Sequence, residues 1–310
     1  MAAPLFSQNI IALVWDFDKT LIPGYMQEPL FAHYSIDPLR FWDEVNQLPA
    51  RYRERGVELT TNEICYLNHI LDYIRDGRFA GLNNARLREF GNRLEFYPGL
   101  PDFFALLRQR VSTVPRFIQH DITLEHYIVS TGLRQMILGS AIAAHVAGVW
   151  GCELLEDESD GERGFVRMGY VLDNTTKTRA LFEINKGVNK YPDEIDVNAR
   201  MEESDRRVPF ANMIYIADGP SDVPVFSVLN RNGGRTYAVY KPGSKEQFRQ
   251  VNQLLRDHRV QAFGEADYTA SSQTTMWLSQ AVDEIAERIV VERQRVLKEK
   301  VSQPPRHLNE

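Results

Sequence analysis

Four aspartates and a serine stand where apolar runs of this sequence stop, and a lysine lies between two of these places. Residues 10–15 (IIALVW) lead into Asp16-Phe17-Asp18-Lys19-Thr20, residues 126–129 into Ser130-Thr131-Gly132, and residues 212–217 into Asp218-Gly219-Pro220-Ser221-Asp222. Lys177 lies between the last two, just ahead of a helical pattern. Brought together, these groups would place four carboxylates, a hydroxyl and an ammonium around one cleft. Crowded carboxylates repel one another and shift their pKa values upward unless a cation sits among them. Donors that are all oxygen, with no His or Cys nearby, suit a hard ion, magnesium before zinc. Magnesium, Lys177 and the Ser130 hydroxyl would together match the charge and acceptor oxygens of a phosphoryl group. One carboxylate could attack phosphorus to give an acyl phosphate. A second, kept protonated, could serve the departing alcohol and then the attacking water.

Short strands must position these residues. The three apolar runs are rich in β-branched and aromatic residues, which predicts strands buried on both faces of a parallel sheet. Weaker strand candidates are residues 236–240 and 260–263, and helical patterns fall between, as at 101–110 and 178–185. Alternating strands and helices predict an α/β fold with a doubly wound parallel sheet. In such sheets ligands bind outside the carboxyl ends of the strands, which is where the chemistry-bearing residues fall. Residues 23–96 carry aromatic and charged residues at helical spacing with no strand run, so a helical cap inserted after the first strand is expected. Pro98-Gly99-Leu100 marks the return to the α/β rhythm. The expected division is a core of 1–22 and 98–270, a cap of 23–97, and a C-terminal helix and tail of 271–310. Residues 187–208 read as a polar surface excursion. Trp277, Ala281, Ile285 and Ile289, with Leu278 and Val282, predict one packed helix face. Past Val291 the pattern thins into charge toward Pro304-Pro305, where fraying is expected.

The 310 residues suffice for one α/β core and a smaller unit, and 43% hydrophobic with 25% charged residues is a globular balance. A net charge of -6 argues against a nucleic-acid or anionic-membrane surface. Two cysteines, Cys65 and Cys152, cannot make a disulfide framework and suit a reducing compartment. The first ten residues carry no Lys or Arg, and no apolar run approaches the roughly 20 residues that span a bilayer. A soluble, cytoplasmic protein is the expectation, with no membrane or nucleic-acid partner. Both cysteines are expected to be packing residues, and the seven histidines show no metal-ligand pairing. Of the cap aromatics Tyr25, Phe31, Tyr34, Phe41 and Trp42, most are expected in the cap core, with one or two facing a ligand. Arg51, Arg53 and Arg55 read as a solvated helix face.

With these motifs in this order, the sequence resembles the haloacid dehalogenase superfamily, specifically its phosphatases of the phosphoserine-phosphatase type. The first motif, DxDxT, matches Asp16, Asp18 and Thr20. The resemblance implies that Asp16 is the nucleophile and a metal ligand, and that Asp18 is the acid/base, its backbone carbonyl also binding metal. The second motif falls on Ser130, with Thr131 beside it, and implies phosphoryl binding. The third falls on Lys177, and the fourth on residues 217–222, where Asp218 would bind Mg2+ and Asp222 would support the metal shell or Lys177, with Gly219 between. Residues 163–177, read as a small hairpin before the lysine, also look like that family. The implied activity is magnesium-dependent hydrolysis of a small phosphorylated metabolite. A phosphotransferase or a catalytically idle binding protein of the same fold are the alternatives. Ala217 replaces the usual first Gly of the fourth motif, and Lys19 stands where Gly or Ser is commoner. The Glu that binds the substrate amine in phosphoserine phosphatases would fall near Tyr25, with Glu28 displaced by three positions. The second aspartate, Asp18, disfavours a dehalogenase.

Overall fold

The computed structural model describes residues 5–159 and 162–301. Its centre is a seven-stranded sheet of β1 (Ile10–Trp15), β2 (Thr123–Leu133), β3 (Gly148–Ser159), β4 (Glu162–Tyr170), β5 (Met213–Ala217), β6 (Arg235–Tyr240) and β7 (Ala262–Glu265). The spatial order is β4-β3-β2-β1-β5-β6-β7. All neighbours are parallel except β3 and β4, which form an antiparallel hairpin. The chain steps from β1 through β2 to one edge and then from β5 to the other. The order therefore reverses between β1 and β5, and the carboxyl ends there open a crevice.

Helices cover both faces, which is why the inner strands read as continuous apolar runs. Ile11 to Trp15 are wholly enclosed. One layer holds α5 (Asp102–Ser112), α6 (Pro115–Ile118) and α11 (Gln273–Val301). The opposite layer holds α8 (Lys177–Lys186), α9 (Val223–Arg231) and α10 (Lys245–Arg256). The Trp15 ring packs on Phe103, Phe104 and Tyr268, its indole N–H donating to His126 Nδ1 at 3.1 Å. On α11 the residues Leu278, Ala281, Val282, Ile285 and Ile289 are buried as the periodicity predicts. The helix continues beyond Val291 to Val301, largely exposed and charged as far as Lys298, and Pro304-Pro305 lie outside the described residues.

Between β1 and α5 stand the four helices of the cap, α1 (Glu28–His33), α2 (Pro38–Glu54), α3 (Asn62–Arg75) and α4 (Asn84–Gly91). Each of the longer three begins on a side-chain cap: Asp37 accepts from Leu39 N, Thr61 from Ile64 N and Asn83 from Arg86 N. Their shared core is aromatic, with the Phe31 and Phe41 rings 4.7 Å apart and Tyr73 edge-on to Phe41. α4 lies flat against α7 (Arg134–Gly139) of the main body. Glycine permits this contact: a Cβ on Gly91 would stand 1.9 Å from Met136 O, and one on Gly139 2.1 Å from Arg88 O.

Three sequence expectations need correction. The hairpin is larger and begins earlier than residues 163–177: its arms are β3 and β4, so Arg163 is already in the second arm, and residues 171–176 are a turn. Asp173 Oδ1 holds that turn by accepting from Thr175 N and Thr176 N. Ser130 does not end its strand; β2 continues to Leu133 past a register shift against β3. The last strand is Ala262–Glu265, two residues beyond the expected start, because residues 260–261 belong to the loop entering it. The 187–208 excursion contains turns and a short 3-10 stretch, anchored by Lys186 Nζ on the carbonyls of Val197 and Ala199 and by Asn185 on Val208 O.

Candidate active site

The carboxyl ends of β1, β2 and β5 deliver Asp16, Ser130 and Asp218 to one cavity of about 390 Å³, roofed by cap residues. Asp18, Lys177, Thr131 and Gly219 line it as well, whereas Thr20 and Asp222 lie behind the wall. The expected constellation is thus brought together.

Lys177 is the first residue of α8, delivered by the Asp173 turn, and its side chain is buried. Its ammonium donates to Asp16 Oδ1 at 2.8 Å and to Asp222 Oδ1 at 2.7 Å. Burial disfavours that ammonium, yet Asp16 and Asp222 outweigh the penalty and raise its pKa. Asp222 occupies the N-cap position of α9, but its side chain caps nothing. It accepts instead from Lys177, from the Tyr215 hydroxyl at 2.5 Å and from the Ser221 hydroxyl at 2.9 Å. Asp222 therefore holds Lys177 against Asp16, which a capping role would not require. Thr20 Oγ1 donates to Asp16 Oδ2 at 3.5 Å from a fully enclosed position.

Asp18 sits two residues on and accepts at Oδ1 from Met26 N at 2.9 Å. Met26 Sδ in turn accepts from Leu133 N, and a Cβ on Gly132 would collide with the Met26 methyl. The start of the cap is thereby fastened to both β1 and β2 at the place where the carboxylates meet. Ser130 Oγ accepts from Gly132 N at 3.1 Å, which leaves its own O–H available to a ligand oxygen.

The electrostatics follow from enclosure. Burial drives the Asp16 carboxyl up to about 6, against the pull of Lys177 and with a further push from Asp222. Burial and then the charges of Asp16 and Asp222 carry Asp218 to about 7. Asp18 lies well above the usual carboxylate range, through burial first and the charge of Asp16 second. The ammonium groups of Lys177 and Lys19 are too little positive charge for four carboxylates. Oxygens of Asp16, Asp218 and Asp222 all lie within 4.8 Å of one another. An oxygen-only donor set of this density fits a hard divalent cation, which would restore the carboxylates to their ionised form.

Several residues here were not singled out from sequence. Tyr215 and Ser221 hold Asp222; Tyr215 is the polar-tipped residue in an otherwise apolar strand, the signal that could have found it. Gln250 of α10 lines the cavity and touches Gly219, where a Cβ would stand 2.7 Å from its Nε2. Tyr25 and Trp42 face the cavity, while Phe31 and Phe41 are in the cap core. Arg51, Arg53 and Arg55 are exposed and do not line the cavity. Glu28 is turned away, its Oε1 accepting from Tyr25 N. Lys19, in the left-handed region at φ 57°, donates to the Tyr25 hydroxyl at 2.7 Å and lies 4.2 Å over its ring. Cys65 and Cys152 are both buried, and burial pushes the Cys152 thiol up to about 11. No helix among the described residues is long and apolar enough to cross a membrane.

No protein-family model matches the chain. A protein of Borreliella burgdorferi, itself uncharacterized, is 37% identical over 290 residues, spanning 89% of this chain and 97% of its own length. A haloacid dehalogenase family hydrolase from Salmonella enterica superposes with a TM-score of 0.50 at 14% identity, over 84% of this chain and 68% of its own. A probable phosphoserine phosphatase from Vibrio cholerae gives a TM-score of 0.50 at 13% identity, over 92% and 68%. The chain belongs to one family with the Borreliella burgdorferi protein, and it shares its fold with the haloacid dehalogenase family hydrolase and the probable phosphoserine phosphatase.

Proposed function

We propose that this protein hydrolyses a small phosphate monoester through a phospho-aspartyl intermediate on Asp16, with Asp18 as general acid/base. The observation that carries this reading is a pair of carboxylates, Asp16 and Asp18, lining one cavity with different partners. Asp16 is held by the Lys177 ammonium at 2.8 Å, whereas Asp18 makes no ion pair among the described residues, accepts from Met26 N, and is raised by burial above the usual carboxylate range. That separation suits a nucleophile beside an acid.

In the proposed sequence the Ser130 hydroxyl, Thr131 and Lys177 hold the phosphoryl oxygens. Asp16 attacks phosphorus, the bond from phosphorus to the ester oxygen breaks, and Asp18 gives its proton to the departing oxygen. Asp18, now ionised, takes a proton from water as that water attacks the same phosphorus, releasing phosphate and regenerating Asp16. Asp16, Asp218 and the Asp18 carbonyl would hold Mg2+, which neutralises the phosphoryl charge and the crowded carboxylates. The cap, residues 23–97 in this reading, keeps bulk water from the acyl phosphate. Thr20, Gly219 and Asp222 support the arrangement without touching substrate.

The test is an acid quench of enzyme turning over radiolabelled nitrophenyl phosphate with magnesium present. Label should be recovered on the peptide bearing Asp16, and Asp16→Asn should reduce both label and turnover to background while unfolding at the same urea concentration or higher. Wild-type turnover without trapped label, or substantial activity in the Asn variant, would discard Asp16 as nucleophile.

A further inference from the structure

Two acceptors on the cap wall of the cavity lack partners. Gln27 is 2% exposed and lines the cavity; its Nε2 donates to the Tyr66 hydroxyl at 3.4 Å, and its Oε1 is enclosed without any hydrogen bond. Glu63, in the first turn of α3, lines the same cavity and has no ion pair or hydrogen bond among the described residues. A buried acceptor left unsatisfied costs about 1–3 kcal/mol, so its retention beside a cavity points to a donor brought by the ligand. An unpaired carboxylate on the same wall favours a donor that is also positively charged.

The charge of the rest of the wall agrees. Among the described residues the cap contributes no lysine or arginine to the lining; Lys19 and Lys177 both come from the core. Lys177 is committed to Asp16 and Asp222, and Lys19 is held at the Tyr25 hydroxyl. Trp42 and Tyr66, with ring centroids 5.7 Å apart, add electron-rich faces to the cap side. A carboxylate on the leaving group would meet Glu63 with like charge, and no cap cation would receive it.

We propose that Gln27, Glu63 and Tyr66 receive an ammonium group, so that the substrates are phosphate esters of short amino alcohols rather than of amino acids or sugars. This rests on the phosphatase reading above. Glu28, the acid closest in sequence to the first motif on the cap side, takes no part, because it is spent on the Tyr25 backbone.

The experiment compares kcat/KM for ethanolamine phosphate, ethylene glycol phosphate, serine phosphate and a hexose phosphate, with nitrophenyl phosphate as an aryl reference. Ethanolamine phosphate should exceed its uncharged glycol isostere by at least about tenfold, the size of one charge-assisted hydrogen bond. Serine phosphate should fall below ethanolamine phosphate. Glu63→Gln should bring the ethanolamine-to-glycol ratio to within about twofold of unity, and Gln27→Leu should lower it in the same direction. A wild-type ratio near one, a preference for serine phosphate or the hexose phosphate, or an unchanged ratio in Glu63→Gln would overturn the ammonium assignment alone. A protein that cleaves none of these esters, nitrophenyl phosphate included, would overturn the phosphatase reading and the assignment with it.

Discussion

Asp16 and Asp18 are separated by one residue, yet their surroundings differ in the way acid/base chemistry needs. Lys177, held by Asp222, which itself accepts from Tyr215, donates directly to Asp16, while the hydrogen bond to the Asp18 side chain among the described residues comes from Met26 N. Asp18→Asn keeps the backbone carbonyl and nearly the same shape but removes proton exchange. An alkyl alkoxide needs a proton to depart, whereas nitrophenolate does not. Phospho-enzyme formation from an alkyl phosphate should therefore slow by about 10²–10⁴-fold, and from nitrophenyl phosphate far less. With the aryl ester the variant should release a burst of nitrophenol of up to one equivalent, followed by slow turnover, because the second step has lost its base. Stopped-flow absorbance reads this directly; equal losses for both esters with no burst would make Asp18 a structural residue. Asp16, Asp18, Asp218 and Asp222 were readable in sequence because they stand just past the apolar runs of buried parallel strands, whereas Tyr215 and Met26 carry no such signal. Gln27 and Glu63 were not readable: which side of a cap helix meets the cavity depends on how α1, α2 and α3 rotate about their shared aromatic core.

At the level of elements, the buried strands were legible, and the hairpin before Lys177 was legible in kind but not in extent. β1, β2 and β5 are enclosed, so their apolar runs are continuous. β3 leaves the body along its length and ends in ELLEDES, with Leu155 exposed and Cys152 enclosed, so neither a continuous run nor a strict alternation survives. His126, fully buried in β2, makes a specific demand on this layer. Its Nδ1 accepts from Trp15 and its Nε2 faces Phe104 O at 3.0 Å, an arrangement that needs the neutral ring. Burial lowers its pKa from 6.5 to about 3. Because the folded value lies below the unfolded one, its contribution to stability is whole above pH 6.5 and declines as pH falls toward 3. His126→Phe should be destabilised at pH 7.5, where two hydrogen bonds are lost, and the gap from wild type should narrow by pH 4.5, as urea midpoints would show. A gap that stays constant with pH would mean that the ring does not stay neutral in the fold. The α4–α7 contact offers a second test. Gly91→Ala must displace Met136 O and should cost about 1–3 kcal/mol. Gly164→Ala, with nothing within 4 Å of the added methyl, serves as the control; equal denaturation midpoints for the two would refute the close approach.

For the molecule as a whole, a cation held by the carboxylate cluster as proposed would couple its binding to folding. A cation that binds only the native site at about a hundred times its Kd adds about 2.7 kcal/mol of stability. Magnesium should therefore raise Tm in a concentration-dependent way, a chelator should reverse the rise, and Asp218→Asn should abolish it. Calcium should support little turnover, because it prefers more ligands at longer distances. An unchanged Tm across a magnesium titration, with full activity in chelator, would remove the metal from the site. The sheet order has a further consequence in time. β1 is made first, but its partners β2 and β5 are not: Ala12 pairs with Met213, roughly 200 residues downstream, and loop closure on that scale is slow. While the chain is being synthesised, the strand bearing Asp16 has no completed sheet to join until β5 emerges, and Lys177 has no Asp222 to hold it. The charges of the proposed site are thus assembled late and together, so a stalled chain would carry the apolar β1 run without the complete Asp16, Lys177 and Asp222 cluster.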